Sequence, residues 1–245
     1  MSARLTIRTA GRILRQLSHD RRTIALLLVV PALLMTLLRY VFDAEPQVFD
    51  RAGLVMLGVF PFVIMFLVTS VAMLRERTSG TLERLLTTPI HKLDLLLGYG
   101  LAFAVAAAVQ AGVVAAVSYG LLGLDTSGSA WLVGMIAIAN AVLGMALGLL
   151  VSAFARTEFQ AVQFMPLIVL PQSLLCGLFV PREQMVGWLH AISNVLPLSY
   201  AVQALTEVGA HTDPTGLMWR DFGIIAGAAV LALVLGAATL RRRTA

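Results

Sequence analysis

Charged residues, cysteine and lysine are all scarce in this sequence. Of its 245 residues, 13% are charged and 59% are hydrophobic, whereas a soluble globular domain carries about 25% charged residues. The single cysteine, Cys176, excludes an intrachain disulfide and a cysteine-based metal site. The single lysine, Lys92, follows His91 and lacks the glycine-rich approach of a phosphate-binding loop. The sequence therefore predicts a membrane protein that binds no ATP through such a loop.

Patterns typical of enzymes and proton-driven carriers are also missing. The four histidines are far apart and none has a carboxylate at metal-ligand spacing. Ser193 and Ser199 lie near His190, but no glycine-flanked serine elbow accompanies them. The interiors of the predicted membrane spans contain no Asp, Glu or His, which a proton relay would require. The sequence indicates no metal, no cofactor and no source of energy within the chain.

Long apolar runs dominate what is present. Several reach the roughly 20 residues that a helix needs to cross the hydrocarbon core of a bilayer. The predicted fold class is an all-α polytopic membrane protein with six transmembrane helices at about 23–42, 53–74, 95–122, 130–154, 163–180 and 221–240.

The basic residues are distributed unevenly between the two sides of this arrangement. Fourteen of the 18 arginine and lysine residues fall in the two terminal segments and the even-numbered loops. Because short basic loops remain in the cytoplasm, both termini are predicted to be cytoplasmic. Trp131, Trp188 and Trp219 fall at the opposite edge, where an interfacial aromatic belt is expected. The net charge of +5 is thus a topology signal, and we expect no nucleic-acid partner.

Three further segments have distinct patterns. Residues 1–22 predict an amphipathic helix in the membrane plane, although a simple basic anchor explains the same pattern. Residues 181–220 predict short re-entrant or interfacial helices on the outer side, broken at Pro181 and Pro197. Small residues at every fourth position predict close helix packing along two strips. One strip is Gly100, Ala104, Ala108, Gly112, Ala116 and Gly120, and the other is Gly144, Gly148 and Ser152.

The cytoplasmic loop 75–94 contains a short helical pattern. Gly80 is a possible N-cap, Glu83 follows three residues later, and Pro89 ends the pattern. Leu82, Leu85 and Leu86 then share one face. A helix of two turns is unstable alone in water, so it requires a partner surface: the membrane, this chain's own helices or another protein.

Two stretches resemble the signatures of ATP-binding-cassette type-2 permeases, including those of the daunorubicin-resistance type. The first runs through Arg75-Glu76-Arg77, Gly80-Thr81-Leu82-Glu83, Leu85-Leu86 and Thr88-Pro89. The second contains Phe179, Pro181, Trp188, Leu189, Pro197, Leu198 and Tyr200. The chain departs from the family pattern at Gly98-Tyr99, where a Gly-Lys pair is frequent, and at Thr206-Glu207, where the second motif often ends in arginine.

The resemblance implies a single permease domain over residues 1–245, located in the plasma membrane. It implies export of a small amphiphilic, drug-like or lipid-like substrate, driven by two copies of a separate ATPase that binds ATP and magnesium. A second permease subunit, identical or related, would complete the pathway. The coupling residues would be Glu76, Arg77, Leu82, Glu83, Arg84, Leu85 and Leu86.

The resemblance also points to the second and fifth spans as the substrate path. The candidates there are Phe60, Phe62, Met65, Phe66, Phe164, Gln172 and Ser173. Helix packing or lipid contact explains these aromatic and methionine positions as well. Two other functions stay open: a membrane enzyme or a scaffold that only recruits a partner, and a secondary carrier.

Overall fold

The computed structural model describes residues 3–79 and 92–239, with side chains from residue 97 onward in the second range. Within these residues the regular secondary structure is helical, and no strand is present. The helices are α1 Ala3–His19, α2 Arg21–Val41, α3 Pro46–Thr78, α4 Lys92–Gly120, α5 Ala130–Ser152, α6 Glu158–Leu175, α7 Gly187–Ser193, α8 Pro197–Ala210 and α9 Gly216–Thr239, with a 3₁₀ turn at Arg182–Gln184.

Side-chain caps explain where several helices begin. The Asp20 carboxylate accepts hydrogen bonds from the backbone N–H groups of Arg22 and Thr23 at the start of α2. Ser129 and Thr157 cap α5 and α6 in the same way. These caps satisfy N–H groups that have no partner within the helix.

The centre of the molecule is the contact between α3 and α5. Gly144 and Gly148 of α5 lie directly against the backbone carbonyl oxygens of Phe62 and Phe66, where a Cβ atom would clash. Asn140 adds a hydrogen bond of 2.9 Å to the carbonyl oxygen of Gly58. The predicted packing strip on α5 is therefore confirmed at its two glycines.

The strip predicted on α4 is different. Gly112 and Ala116 are exposed, and a Cβ atom at Gly112 would meet nothing within 4 Å. The buried face of α4 instead contains Ala102, Ala107 and Ala111. The prediction that the α4 strip packs helices holds at Gly100, which is buried, and at Ala104, which packs against the core. It is wrong at Gly112, Ala116 and Gly120, which are exposed within this single chain.

Five helical stretches among the described residues are long and apolar enough to cross a membrane. They lie in α2, α3, α4, α5 and α9. The predicted fifth span, 163–180, corresponds to α6, which begins earlier, contains Pro166 and Pro171, and ends at Leu175. Its three glutamines reduce its apolar character, and Gly177, at φ +99°, lies in the irregular stretch that follows.

The last membrane helix also begins earlier than predicted, at Gly216. Asp221 consequently lies in its second turn and is fully buried. Arg220 accounts for this position, since its guanidinium donates two hydrogen bonds, of 2.8 and 3.0 Å, to one Asp221 carboxylate oxygen. The predicted sixth span already began at Asp221, so the absence of acidic side chains from the span interiors stays a prediction.

The predicted helical pieces after residue 181 are present as the 3₁₀ turn, α7 and α8, and Pro197 begins α8. Buried Arg182 joins them. Its guanidinium donates hydrogen bonds to Ser193 Oγ at 3.2 Å, to Gln203 Oε1 at 2.8 Å and to Asn194 Oδ1. It also lies 5.2 Å from the centre of the Tyr200 ring. One arginine thus organises the whole segment.

Candidate functional site

The predicted coupling residues fall into two groups. Leu82, Glu83, Arg84, Leu85 and Leu86 lie outside the residues that the structure describes. Glu76 and Arg77 lie in the last turns of α3, which ends at Thr78. Residues 80–91 therefore connect the end of α3 to the start of α4 at Lys92.

The amphipathic N-terminal helix packs against the beginning of α4. Ala10 and Ile13 are buried, whereas Ile7, three residues before Ala10, is 63% exposed. A Cβ atom at Gly98 would lie 2.7 Å from the side chain of Thr9, so glycine permits the close approach. The apolar face of α1 thus covers protein along part of its length.

A polar network joins α1, α3 and α4 beside this contact. The Arg12 guanidinium donates a hydrogen bond of 3.1 Å to the Tyr99 hydroxyl. Tyr99 is buried, and its hydroxyl also interacts with the Glu76 carboxylate. Tyr99 occupies the position where the family pattern often has lysine, so this chain places a neutral hydroxyl between one basic and one acidic side chain.

Two arginines connect the end of α3 to the helices that follow. Arg75 donates hydrogen bonds of 2.7 and 3.0 Å to the two carboxylate oxygens of Glu158, the first residue of α6. This pairing lowers the pKa of the Glu158 carboxyl below its ordinary value of 4.5. Arg77 donates a hydrogen bond of 2.5 Å to the carbonyl oxygen of Ser152, the last residue of α5.

A cavity of about 700 Å³ opens beside the network, between α1, α2, α3, α4 and α6. One part of its lining is charged and includes Asp20, Arg22, Arg75 and Glu76. Hydrogen bonds from Thr23, the side-chain one foremost, lower the pKa of the Asp20 carboxyl, so this group is anionic at neutral pH.

The rest of the cavity lining is largely apolar. Its apolar side chains include Leu26, Leu67, Val71 and Phe103. Charges of both signs thus lie at one end of an apolar space, and this combination matches the chemistry of an amphiphilic molecule.

The structure does not bring the predicted substrate-path residues together on one accessible surface. Phe62, Met65 and Phe66 are fully buried inside the chain. Gln172 is also buried, donates to the Ile168 carbonyl and accepts a bond of 3.4 Å from the Leu198 backbone N–H. Partly exposed positions remain at Phe60, Phe164 and Ser173.

Sequence reasoning did not single out Arg12, Tyr99, Asp20 or Glu158. Arg12 was one of four similar arginines on a helix face, and Tyr99 was only a departure from a motif. Arg12 and Tyr99 are 87 residues apart, so nothing local in the sequence pairs them.

Comparison with known proteins agrees with this architecture. The model of the ABC-2 type transporter family matches residues 6–208. The chain is 27% identical over 141 residues to ABC transporter G family member 20 of Dictyostelium discoideum, covering 58% of this chain and 19% of the relative. It is 25% identical over 155 residues to the probable multidrug ABC transporter permease YbhR of Escherichia coli (strain K12), covering 63% and 42%.

A third relative is the linearmycin resistance permease protein LnrN of Bacillus subtilis (strain 168). It is 26% identical over 172 residues, which cover 69% of this chain and 43% of the relative. The matched stretch therefore spans less than half the length of each of these three relatives.

Proposed function

The chain belongs to the ABC-2 type transporter family, and from this premise we propose that it is the membrane-spanning permease subunit of an ATP-driven exporter. Residues 1–245 form one permease domain in the plasma membrane. Two copies of a separate ATPase bind ATP and magnesium, and a second permease subunit, identical or related, completes the pathway.

The observation that carries this proposal is the network of Arg12, Tyr99 and Glu76. Residues 80–91 connect α3 to α4, and the network ties both helices to α1 next to these connections. A displacement of the segment by a docked ATPase is therefore passed to three helices together. Leu82, Glu83, Arg84, Leu85 and Leu86 form the docking helix in this proposal, with Glu76 and Arg77 at its base.

The proposed membrane arrangement has six crossings, with α6 as the fifth, and both termini in the cytoplasm. The α1 helix lies at the cytoplasmic interface, and α7 and α8 form the outer re-entrant or interfacial segment. Trp131, Trp188 and Trp219 support this arrangement because all three are exposed, as side chains of an interfacial belt should be.

The proposed cargo is a small amphiphile, drug-like or lipid-like. The cavity supports this class because charged groups and apolar side chains line opposite parts of one space of about 700 Å³. The multidrug and linearmycin-resistance names of two relatives point the same way. The proposed substrate-path residues remain Phe60, Phe62, Met65, Phe66, Phe164, Gln172 and Ser173. The partly exposed ones are the preferred candidates for direct contact with the substrate.

Leu85→Asp and Glu83→Arg test the coupling role. In the complex reconstituted with its ATPase, we expect both variants to insert and assemble normally. We expect the vanadate-sensitive, ATP-dependent export rate of an amphiphile panel to fall by about tenfold or more. This is the change that a loss of about 1.4 kcal/mol of coupling free energy predicts. Thr206→Ala on α8, remote from this segment, is the control variant.

Normal export by both variants would contradict the coupling assignment. Uphill transport by the purified chain alone in vesicles would instead favour a secondary carrier. Assembly with a partner but no ATP-dependent transport of any tested amphiphile would favour the scaffold or enzyme alternative.

A further inference from the structure

The amphipathic cavity is the space of about 700 Å³ between α1, α2, α3, α4 and α6, and the charges that line it are not equally available to a ligand. Arg75 directs its Nε and Nη2 atoms to the two carboxylate oxygens of Glu158, so its charge is compensated. Arg22, in the first turn of α2, is exposed. Because one arginine is paired and the other is exposed, the interior of the cavity has little uncompensated positive charge.

The two carboxylates that line the cavity are held by neutral donors instead. Asp20 accepts hydrogen bonds from the backbone N–H groups of Arg22 and Thr23, at 3.1 and 3.2 Å, and from the Thr23 hydroxyl at 2.7 Å. Glu76 interacts with the Tyr99 hydroxyl. Both carboxylates are partly buried, and neither forms a salt bridge within the described residues. Two negative charges therefore lie in the cavity wall without an ion-pair partner.

One oxygen of the Glu76 carboxylate also lacks a hydrogen-bond donor. Its Oε2 atom is buried and has no hydrogen-bond partner in the described part of the chain. A buried carboxylate oxygen without a donor is unfavourable, so binding of a group that donates a hydrogen bond to it is favoured. A protonated amine provides both the donor and the opposite charge.

Aromatic rings lie in the same wall of the cavity. Tyr99 and Phe103 both line it, and their ring centres are 6.5 Å apart on consecutive turns of α4. The faces of aromatic rings attract cations, because the ring quadrupole places negative charge there. Leu26 and Leu67 line another part of the cavity and provide apolar surface for the rest of an amphiphile.

We propose that the amphipathic cavity binds amphiphiles with a protonated amine as headgroup. Glu76 accepts a hydrogen bond from the ammonium group, and Asp20 adds a second negative charge to the wall. An anionic headgroup would meet both carboxylates and would find Arg75 already paired. The role of the cavity as a cargo site rests on the proposed export function, and the preference for amines narrows that cargo to cations.

Fluorescence titration of the purified full-length chain in dodecyl maltoside measures the headgroup preference without the ATPase. Three probes have the same dansyl group and the same twelve-carbon chain and differ only at the free end. One ends in a primary amine, one in its neutral N-acetyl derivative and one in its anionic N-succinyl derivative. We expect the amine probe to bind about tenfold more tightly than the neutral probe, as a hydrogen bond between charged groups predicts. The anionic probe should bind most weakly.

Two carboxylate variants test the assignment of the headgroup site. Glu76→Gln removes the charge at nearly the same size and should reduce the preference for the amine to about twofold or less. Its affinity for the neutral probe should be unchanged, which would show that the cavity is intact. Asp20→Asn retains a side chain that caps α2 and should reduce the preference by about two- to threefold. The control is Glu183→Gln, at an exposed glutamate in the 3₁₀ turn, which should preserve the preference.

Equal affinity of the wild-type chain for the three probes, or an unchanged preference in Glu76→Gln, would overturn the proposal. Export by the complex reconstituted with its ATPase separates this result from the proposed function. A preference for the amine in binding, with no ATP-dependent export of any probe, would contradict the export function and support the binding site. Equal ATP-dependent export of all three probes would support the export function and overturn the preference for amines.

Discussion

At the scale of single residues, removing the Tyr99 hydroxyl is the most specific test of the contact between α1 and α4. The hydroxyl accepts a hydrogen bond from Arg12 of α1 and is the buried member of a partly buried network. Tyr99→Phe removes that bond while preserving the ring. A hydrogen bond contributes about 1 kcal/mol, so we expect amphiphile-stimulated ATPase activity of the reconstituted complex to fall about fivefold.

The matched control for Tyr99→Phe is Tyr119→Phe. Tyr119 lies near the other end of α4, and its hydroxyl is 3.1 Å from Thr126 Oγ1. This substitution removes a similar bond far from the α1 contact and should preserve the stimulated activity. Equal losses in both variants would show that the Arg12–Tyr99 contact has no special part in coupling.

The residue scale also shows how far sequence reasoning reaches. The two glycines of the α5 strip were predicted correctly because spacing along one helix defines a face. The same rule failed along the later part of α4, where alanines also occur on a second face and the choice between faces depends on tertiary contacts. Long-range pairs such as Arg75 with Glu158 were out of reach for the same reason.

At the scale of elements, the α3–α5 contact can be tested by comparing two glycine-to-alanine substitutions on α5, one inside the contact and one outside it. Gly148→Ala places a methyl group against the Phe66 carbonyl oxygen. We expect this to destabilise the protein by about 1–3 kcal/mol, as overpacking does. Gly134→Ala on the same helix meets nothing within 4 Å and should stabilise it by up to about 1 kcal/mol through helix propensity. Unfolding in detergent, followed by circular dichroism, measures both, and a loss in neither variant would contradict this packing.

The ion pair between α3 and α6 should make their association depend on pH. The pKa of Glu158 is lower in the folded chain than its ordinary value of 4.5. Its contribution to stability is therefore complete above that value and is lost as the pH falls through the lowered pKa. We expect wild type to be more stable than Glu158→Gln at pH 7, with the difference becoming smaller as the pH falls below the ordinary value of 4.5.

Thermal unfolding of wild type and Glu158→Gln across this pH range measures the effect. Glu183→Gln, which changes another exposed glutamate, controls for the general removal of a carboxylate. A stability difference that does not decrease as the pH is lowered below 4.5 to the acid limit of the folded protein would contradict the role of the ion pair.

Element boundaries were predictable where caps or prolines mark them and less so elsewhere. Pro197 begins α8 as predicted. The start of α9 was placed too late, at Asp221, because Arg220 looks like the end of a polar loop, yet it pairs with Asp221 and lies within the helix. The end of α6 was placed too late because residues 176–180 are mostly apolar but leave helical geometry at Gly177.

At the scale of the whole molecule, the membrane role of α6 decides the topology. In the proposed arrangement the helices α2 to α5 make four crossings, so Val195 lies opposite Ser18 only if α6 crosses as well. Cys176→Ser removes the single cysteine, and Ser18→Cys or Val195→Cys then introduces one exposed thiol. We expect a membrane-impermeant maleimide to label Val195→Cys in intact cells and Ser18→Cys only after permeabilisation. Identical accessibility of the two thiols would contradict a sixth crossing.

The sparse attachment of α2 has a mechanical consequence. Only Leu27, Pro31 and Met35 of this helix are buried, whereas α3 is buried along most of its length. Helices in a bilayer are held together by van der Waals packing and interhelical hydrogen bonds. Because α2 packs fewer side chains than α3, α2 is the more easily displaced wall of the amphipathic cavity. Leu26 of α2 and Val162 of α6 both border that cavity. The opening of the cavity can therefore widen by a sideways shift of α2 that leaves the α3–α5 contact at Gly144 and Gly148 unchanged.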